Sequence, residues 1–428
     1  MRKLFVLILM GSVGFAVGCG SSSSSTPVGV PTGGTNNVLS IAVDGGPNPS
    51  QNGIYANGAF ASVAICAPGS TSNCVTVDHL LVDTGSVGVR VLQSEVSSLN
   101  LPTINASNGS AAYDCAAFAD GSLVWGTVQN ANVTLAGETA SNIPIHVISS
   151  SSANIPSTCT NGNPVGDENT QALLGANGIL GVGLEPLDCG ALCDPNGGLA
   201  SPPSPAYYTC SSLPCSPAFV SESNQVTNPV VLFAVDNNGV IVELPSVSGS
   251  AATVTGSLIF GVGTESNNQL PSSADVFTTA CDNFDTTFEG QNLFVDPSSC
   301  PTATGSFIDS GSNAFFFPDV NSFMTTCAAN SKAAGFYCPA ALTPLSATNI
   351  DPNTGFSEST NFSVDNALNL FTNSSTSSDA ALGTLGGASP SGSGFDWGLP
   401  FFYGTHVYLT IDGQGVPSGL AAPPWWAY

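Results

Sequence analysis

The chain has 428 residues, 42% of them apolar, which is enough for two lobes with a sizeable core each and excludes disorder throughout. Asp and Glu number 29 against 4 Lys and Arg, a net charge of -25, and two of the four bases are Arg2 and Lys3. With Arg90 and Lys332 as the remaining cations the chain cannot neutralise phosphates, so nucleic acids and anionic membrane surfaces are not expected as partners.

In chain order, Arg2-Lys3 precede an apolar run over 4–17 that is short for a membrane span and reads as an export signal. The run ends in Ala16-Val17-Gly18-Cys19, which resembles the lipobox of bacterial lipoproteins and makes Cys19 the expected lipidated residue; ordinary signal-peptidase cleavage is the alternative. Ser21 to Ser25, Pro27, Pro31 and Gly33-Gly34 then form a flexible tether. The expected organisation is a signal peptide over 1–19, a tether over 20–38, an N-terminal β lobe over 39–255 and a C-terminal β lobe over 256–428. The expected location is the bacterial cell envelope, lipid-anchored through Cys19 and sorted to the outer membrane, or secretion, in either case as a monomer.

Setting Cys19 aside leaves 12 of the 13 cysteines, an even number in an exported chain and hence a disulfide framework. Cys66 and Cys74, Cys189 and Cys193, Cys210 and Cys215, Cys281 and Cys300, and Cys327 and Cys338 read as local staples. Cys115 and Cys159 are left as a longer link, although spacing alone does not fix the pairing. With three histidines and no CxxC pair, neither a metal nor another cofactor is expected. His79, His146 and His406 read as structural.

Short β-branched and aromatic stretches alternate with Gly, Asn, Ser and Pro clusters, so the protein is expected to be mainly β. The apolar triplet Leu80-Leu81-Val82 leads into Asp83-Thr84-Gly85-Ser86, and Ser306-Phe307-Ile308 leads into Asp309-Ser310-Gly311-Ser312. An apolar strand leaves each loop, over 87–92 and 314–317, and a stretch with helical character follows, over 93–99 and 320–328. Gly178-Ile179-Leu180-Gly181 comes about 98 residues after Asp83, and Asp396-Trp397-Gly398-Leu399 about 89 residues after Asp309. This duplication predicts two lobes about a pseudo-two-fold axis, with the two carboxylates meeting on it. Between the halves, the stretches 230–235 and 240–244 flank Asp236-Asn237-Asn238-Gly239, a hairpin signal because Asn and Gly accept positive φ.

On these residues the chain resembles the pepsin-like aspartic peptidases. That resemblance implies a bilobal architecture of two β-barrel or sheet lobes, with Asp83 and Asp309 as the catalytic pair and Thr84, Gly85, Ser86, Ser310, Gly311 and Ser312 as the support of their loops. Phe118-Ala119-Asp120-Gly121-Ser122 resembles the hairpin that closes over substrate, which makes Phe118, Asp120, Gly121 and Trp125 candidate substrate-binding residues. The strand near 256–261 resembles the one that passes between lobes. The activity implied is endopeptidase hydrolysis of a peptide or protein substrate by water held between two carboxylates. The alternative is a catalytically inactive protein of the same fold that binds peptide or glycan in its cleft.

Several residues depart from the family's pattern. Phe118 stands where the family carries a tyrosine. Arg90 stands in place of a tryptophan, and is read either as electrostatic support for the site or as a surface cation paired with a surface acid. Asp396 replaces an apolar residue and is read as a third carboxylate near the pair or as a loop cap. The stretch 20–38 carries no base, so a basic pro-segment is not expected.

Overall fold

The computed structural model describes residues 37–118, 120–151, 154–160, 166–211, 213–294, 305–319, 321, 323–372, 379–389 and 393–428. The export signal, Cys19 and nearly all of the tether lie outside them.

The first half contains eight strands that position the first acidic loop. They are β1 (Val38–Val43), β2 (Phe60–Cys66), β3 (Cys74–Asp83), β4 (Val87–Leu92), β5 (Ala112–Ala117), β6 (Leu123–Leu135), β7 (Glu138–Ile148) and β8 (Gly178–Val182). Six of them close on themselves in the order β2, β3, β8, β4, β7, β6, with β6 pairing back onto β2. Closure leaves these strands little open edge, and alternate side chains such as Val63, Ile65, Val89, Val91, Val133 and Leu135 fill the interior, all 0% exposed.

A shared sheet joins the two ends of the chain. β1 pairs antiparallel with Val254–Phe260, which pairs with Gly239–Glu243, and that strand pairs with His406–Thr410. Trp425–Ala427 extends the sheet beside His406–Thr410. In the second half, Phe307–Ile308, Asp396–Trp397 and Phe315–Phe317 lie side by side. They rest on an aromatic core in which Phe317 stacks on Phe395 at 5.2 Å and Phe395 on Trp397 at 4.8 Å. Each such buried ring contributes on the order of 2 kcal/mol by leaving water.

The duplication is visible in the strand pairing. β8 lies between β3, parallel to it, and β4, antiparallel to it. Asp396–Trp397 lies in the same way between Phe307–Ile308 and Phe315–Phe317. The helical stretch after the first loop is present as Gln93–Val96 followed by a 3-10 turn, Ser97–Leu99. Its expected counterpart is absent: the described residues of 320–328 contain no helix. Asp319 there accepts the Phe323 and Met324 N–H groups, and Thr326 bridges to Tyr337.

The hairpin expected around Asp236 also does not form. Pro229–Leu232 is a 3-10 turn whose Val230 N–H is met by the Asn228 side chain at 3.2 Å. Gly239–Glu243 instead takes both its partners from distant segments. The Asn238 side chain anchors that bend by accepting from Val262 N at 2.8 Å and donating to Val262 O at 3.0 Å.

Five of the expected disulfides are formed, Cys66–Cys74, Cys115–Cys159, Cys189–Cys193, Cys210–Cys215 and Cys327–Cys338. Cys281 is also disulfide-bonded, and Cys300 lies outside the described residues.

Candidate active site

The two acidic loops meet at the junction of the halves and brace each other reciprocally. Thr84 N donates to Ser310 Oγ at 3.1 Å, and Ser310 N donates to Thr84 Oγ1 at 2.9 Å. Each hydroxyl then donates onward across the junction, Thr84 Oγ1 to Ile308 O at 3.2 Å and Ser310 Oγ to Val82 O at 2.8 Å. Each hydroxyl spends its only hydrogen and accepts one bond as well, so neither side chain can rotate without breaking two bonds.

Within each loop the carboxylate folds back onto its own backbone. Gly85 N donates to Asp83 Oδ1 at 2.7 Å, and Gly311 N donates to Asp309 Oδ1 at 2.9 Å. Ser86 Oγ donates to Asp83 Oδ2, and Ser312 Oγ lies 3.0 Å from Asp309 Oδ2. The first glycine is needed for space: a Cβ on Gly85 would sit 2.3 Å from Asp309 Cγ. Asp83 and Asp309 are both 0% exposed. Burial, the charge of Asp309 and a hydrogen bond with it raise the Asp83 carboxyl well above the usual range, outweighing the Ser86 and Gly85 donors. The pair therefore holds on to a proton more firmly than an isolated aspartate does.

The hairpin between β5 and β6 is formed as expected. Phe118 N donates to Ser122 O at 2.8 Å, and Gly121, at φ 91°, turns the chain. Asp120 Oδ1 accepts from Ser122 N at 2.8 Å and from Ser122 Oγ at 2.7 Å, which commits the hairpin's serine to its own turn. Phe118 packs with Phe60, Val124, Leu174, Ile179 and Tyr55. Successive side chains of β6 point to opposite faces, so Val124 shares the Phe118 side. Trp125 turns away, stacking on Tyr113 at 5.4 Å within the cluster that holds Cys115 and Cys159. It is thus a core residue.

Tyr55 is the site residue that the sequence does not reveal. Its ring is clamped between glycines: a Cβ on Gly175 would lie 2.3 Å from it and one on Gly58 2.5 Å. Its hydroxyl makes no hydrogen bond among the described residues. Burial, then the charges of Glu168, Asp83, Asp309 and Asp120, push the phenol well above its ordinary pKa, so it remains a donor. Tyr55 also lines a cleft with Asn48, Leu173, Gly175, Asn313 and Phe371, drawn from both halves of the chain, and Asn313 follows the second loop directly. Glu168, 5% exposed, lies behind the hairpin; burial and then Asp120 and Asp167 push it up to about 8.

Arg90 fits neither reading of its position. It is 4% exposed and lies inside the first half, where it donates to Asp114 and to Asp188 at 3.2 Å and reaches His146 Nδ1 at 2.9 Å. β4 and β7 run in parallel with Arg90 opposite His146, which places the cation among acids from other elements. Burial raises Asp188 to about 7, with the neighbouring Asp114 charge adding to it, while Arg90 and Tyr207 act against the shift. Burial also opposes ionisation of Asp114, but Arg90 and His146 outweigh it and hold that group at about 2. The histidines are structural: His79 pairs with Asp44 and Asp78, His146 with Asp114, and His406 with Glu243.

Asp396, 2% exposed, reaches the second loop, with its Oδ2 2.6 Å from Ser312 Oγ. Its position is fixed by strand register, since it lies opposite Phe307 on one side and Phe316 on the other. Among the described residues no group of three or more His, Cys, Asp or Glu side chains is placed to hold a metal ion.

A solved structure to which the chain is similar is that of an aspartic proteinase from Irpex lacteus, with 17% identity over 87% of this chain and 93% of that one, at a TM-score of 0.45. No curated protein matches the sequence. A family model described as a protein of unknown function, DUF3443, matches residues 33–428, and the chain belongs to that family.

Proposed function

We propose that the protein is an aspartic-type endopeptidase in which Asp83 and Asp309 activate water against a peptide bond. The observation that carries this reading is the pair itself: two fully buried carboxylates in hydrogen-bond contact, on loops that brace each other through Thr84 and Ser310. Such rigidity costs nothing during reaction because the groups are already in place.

With one proton on the pair, the ionised carboxylate takes a proton from water as its oxygen bonds to the peptide carbonyl carbon. The protonated carboxyl gives its proton to the carbonyl oxygen, forming a gem-diol. Collapse breaks the C–N bond. The nitrogen takes the proton that came from water, and one gem-diol hydroxyl returns its proton to the other carboxylate. One water is consumed and the pair is regenerated. The cleft lined by Tyr55 and by Asn313, the residue after the second loop, is the surface offered to an extended peptide.

The division into lobes at 255, the export signal and lipid anchoring at Cys19 belong to the same proposal. They are supported by the sequence and by disulfides that require an oxidising compartment. A second reading, binding of peptide or glycan without turnover, is favoured by Phe118, because a hairpin lacking a free hydroxyl offers the reacting centre less.

The test is incubation with an unstructured protein from acidic to neutral pH, beside Asp83→Asn and Asp309→Asn. Cleavage abolished by both substitutions is the expected result. Cleavage that survives either one overturns the pair as catalyst, and tight ligand binding without any cleavage establishes the second reading.

A further inference from the structure

The segment between β1 and β2 passes from one half of the molecule to the other within a single step of the chain. Tyr55 packs with Phe60, Leu174 and Ile179 of the first half. Ala56, the next residue, packs with Ala314, Phe316 and Leu382 of the second. Residues of this segment, Tyr55 and Ala56 among them, line the cleft from the first half, and Asn313 and Phe371 line it from the second. The spacing of those two sides therefore depends on how the crossing is fastened.

Asn57 fastens it. It is 0% exposed, and at φ 55° its backbone lies in the left-handed region that Asn and Gly adopt most readily. Its backbone N–H donates to Ala380 O at 2.7 Å. Its amide nitrogen donates to Asn313 O at 2.8 Å and to Leu382 O at 2.9 Å. Its amide oxygen accepts from Leu382 N at 2.6 Å and from the Tyr403 hydroxyl at 2.8 Å. A carboxamide has two hydrogens to give and room to accept two more, so this side chain is fully used. The same partners fix its orientation: with oxygen and nitrogen exchanged, the oxygen would face two carbonyls and the nitrogen a backbone N–H. Every one of these bonds ends in the second half, at Asn313, at Ala380 and Leu382, and at Tyr403. An amide so committed, and shielded from water, cannot let go of one partner without leaving a buried group unpaired.

We propose that Asn57 is a positioning residue of the cleft: it ties the crossing segment to Asn313 and so sets the spacing between the Tyr55 side and the Asn313 side that hold an extended peptide. The proposal rests on the reading of the cleft as a peptide site. The bonds of Asn57 go to neither Asp83 nor Asp309, whose loops are braced separately through Thr84 and Ser310. Loosening the crossing therefore weakens the hold on substrate and spares the chemical step.

Asn57→Gly keeps the left-handed backbone and its N–H and removes only the amide. Hydrogen exchange read by mass spectrometry tests it without turnover. Within the crossing segment, Tyr55 N donates to Gly45 O and Asn52 N to Asn48 O, each at 2.9 Å. The variant is expected to exchange faster over 45–56 as well as at Leu382, with β3 and β8 unchanged. Faster exchange confined to Leu382 would reduce Asn57 to a local bond and overturn the proposal whether or not the protein cleaves anything, so this failure is distinguishable from that of the protease reading. On an unstructured protein substrate, KM is expected to rise about tenfold with kcat kept within about twofold, the mark of lost binding rather than lost chemistry. A fall in kcat at unchanged KM would place the effect on the acidic pair and overturn the proposal as well. Should Asn57→Gly not fold, Tyr403→Phe decides, because it removes one of the two bonds to the amide oxygen and leaves the amide itself. The same changes are expected there in smaller measure, and unaltered exchange over 45–56 in that variant is the contrary result.

Discussion

Gly85→Ala probes the meeting of the two carboxylates without replacing either one. The added methyl would lie 2.3 Å from both Asp309 Cγ and Asp309 Oδ1, and 2.5 Å from Oδ2. Ordinary contact begins at about 3.5 Å, so the carboxyl or its loop must retreat by roughly 1 Å. The loops cannot separate freely, because Thr84 and Ser310 tie them with four hydrogen bonds that cross the junction. Overpacking of this kind costs about 1–3 kcal/mol in stability, and a displacement near 1 Å at reacting groups costs about 100-fold in rate. The control is Gly415→Ala, where a Cβ would meet nothing within 4 Å. The assay is kcat/KM on an unstructured protein substrate, beside urea unfolding of both variants. We expect a loss near 100-fold and a lowered midpoint for Gly85→Ala, with neither change for the control. A Gly85→Ala protein as stable and as active as the control would refute both the close approach and its part in catalysis.

Two further predictions concern groups outside the acidic loops. Tyr55→Phe keeps the ring between Gly58 and Gly175 and removes only the hydroxyl, so kcat/KM is expected to fall about 10- to 100-fold with the unfolding midpoint nearly unchanged; unaltered turnover would remove Tyr55 from the site. The Arg90 cluster sets a pH window for stability. Asp114, held at about 2, contributes stability that is present above its unfolded pKa and is lost as pH falls through about 2. Asp188, raised to about 7, contributes stability that is complete below its unfolded pKa and is lost as pH rises through about 7. The urea midpoint of the wild type is therefore expected to decline from the ordinary carboxylate range up to about pH 7 and to level off above it, and Asp188→Asn to abolish that decline. Parallel declines in the two proteins would show that Asp188 is not its source.

What could be read from the sequence was what the chain encodes contiguously. Each acidic loop needs its carboxylate, its hydroxyls and its glycine within four residues, and each disulfide staple spans a short loop, so both are visible as spacing. The strand pairing around β8 was legible for a related reason, since the same order of apolar and glycine segments occurs in both halves. The hairpin at 236–239 misled because turn propensity is local, whereas Gly239–Glu243 is a central strand whose partners lie at Val254–Phe260 and His406–Thr410. Arg90 could not be placed because Asp114, His146 and Asp188 come from separate elements, and nothing beside Arg90 in Val87–Leu92 announces them. Tyr55 was hidden for the same reason: its neighbours Gly175 and Glu168 are remote in sequence.

The duplication itself poses a chemical requirement that the departures from it satisfy. Two identical loops about a two-fold axis would offer two equivalent carboxylates, and a single shared proton would have no preferred holder. Peptide hydrolysis asks one member to be a base and the other an acid at the moment of attack. Substitutions that break the symmetry while keeping the scaffold can supply that difference. Ile179 and Asp396 are such a pair: both occupy the strand threaded beside an acidic loop, and only Asp396 carries a group that can act on the loop's serine. In the first half Ser86 therefore answers to Asp83 alone, and in the second Ser312 is shared. The position at which the repeat is least faithful is thus one that puts different chemistry beside the two serines.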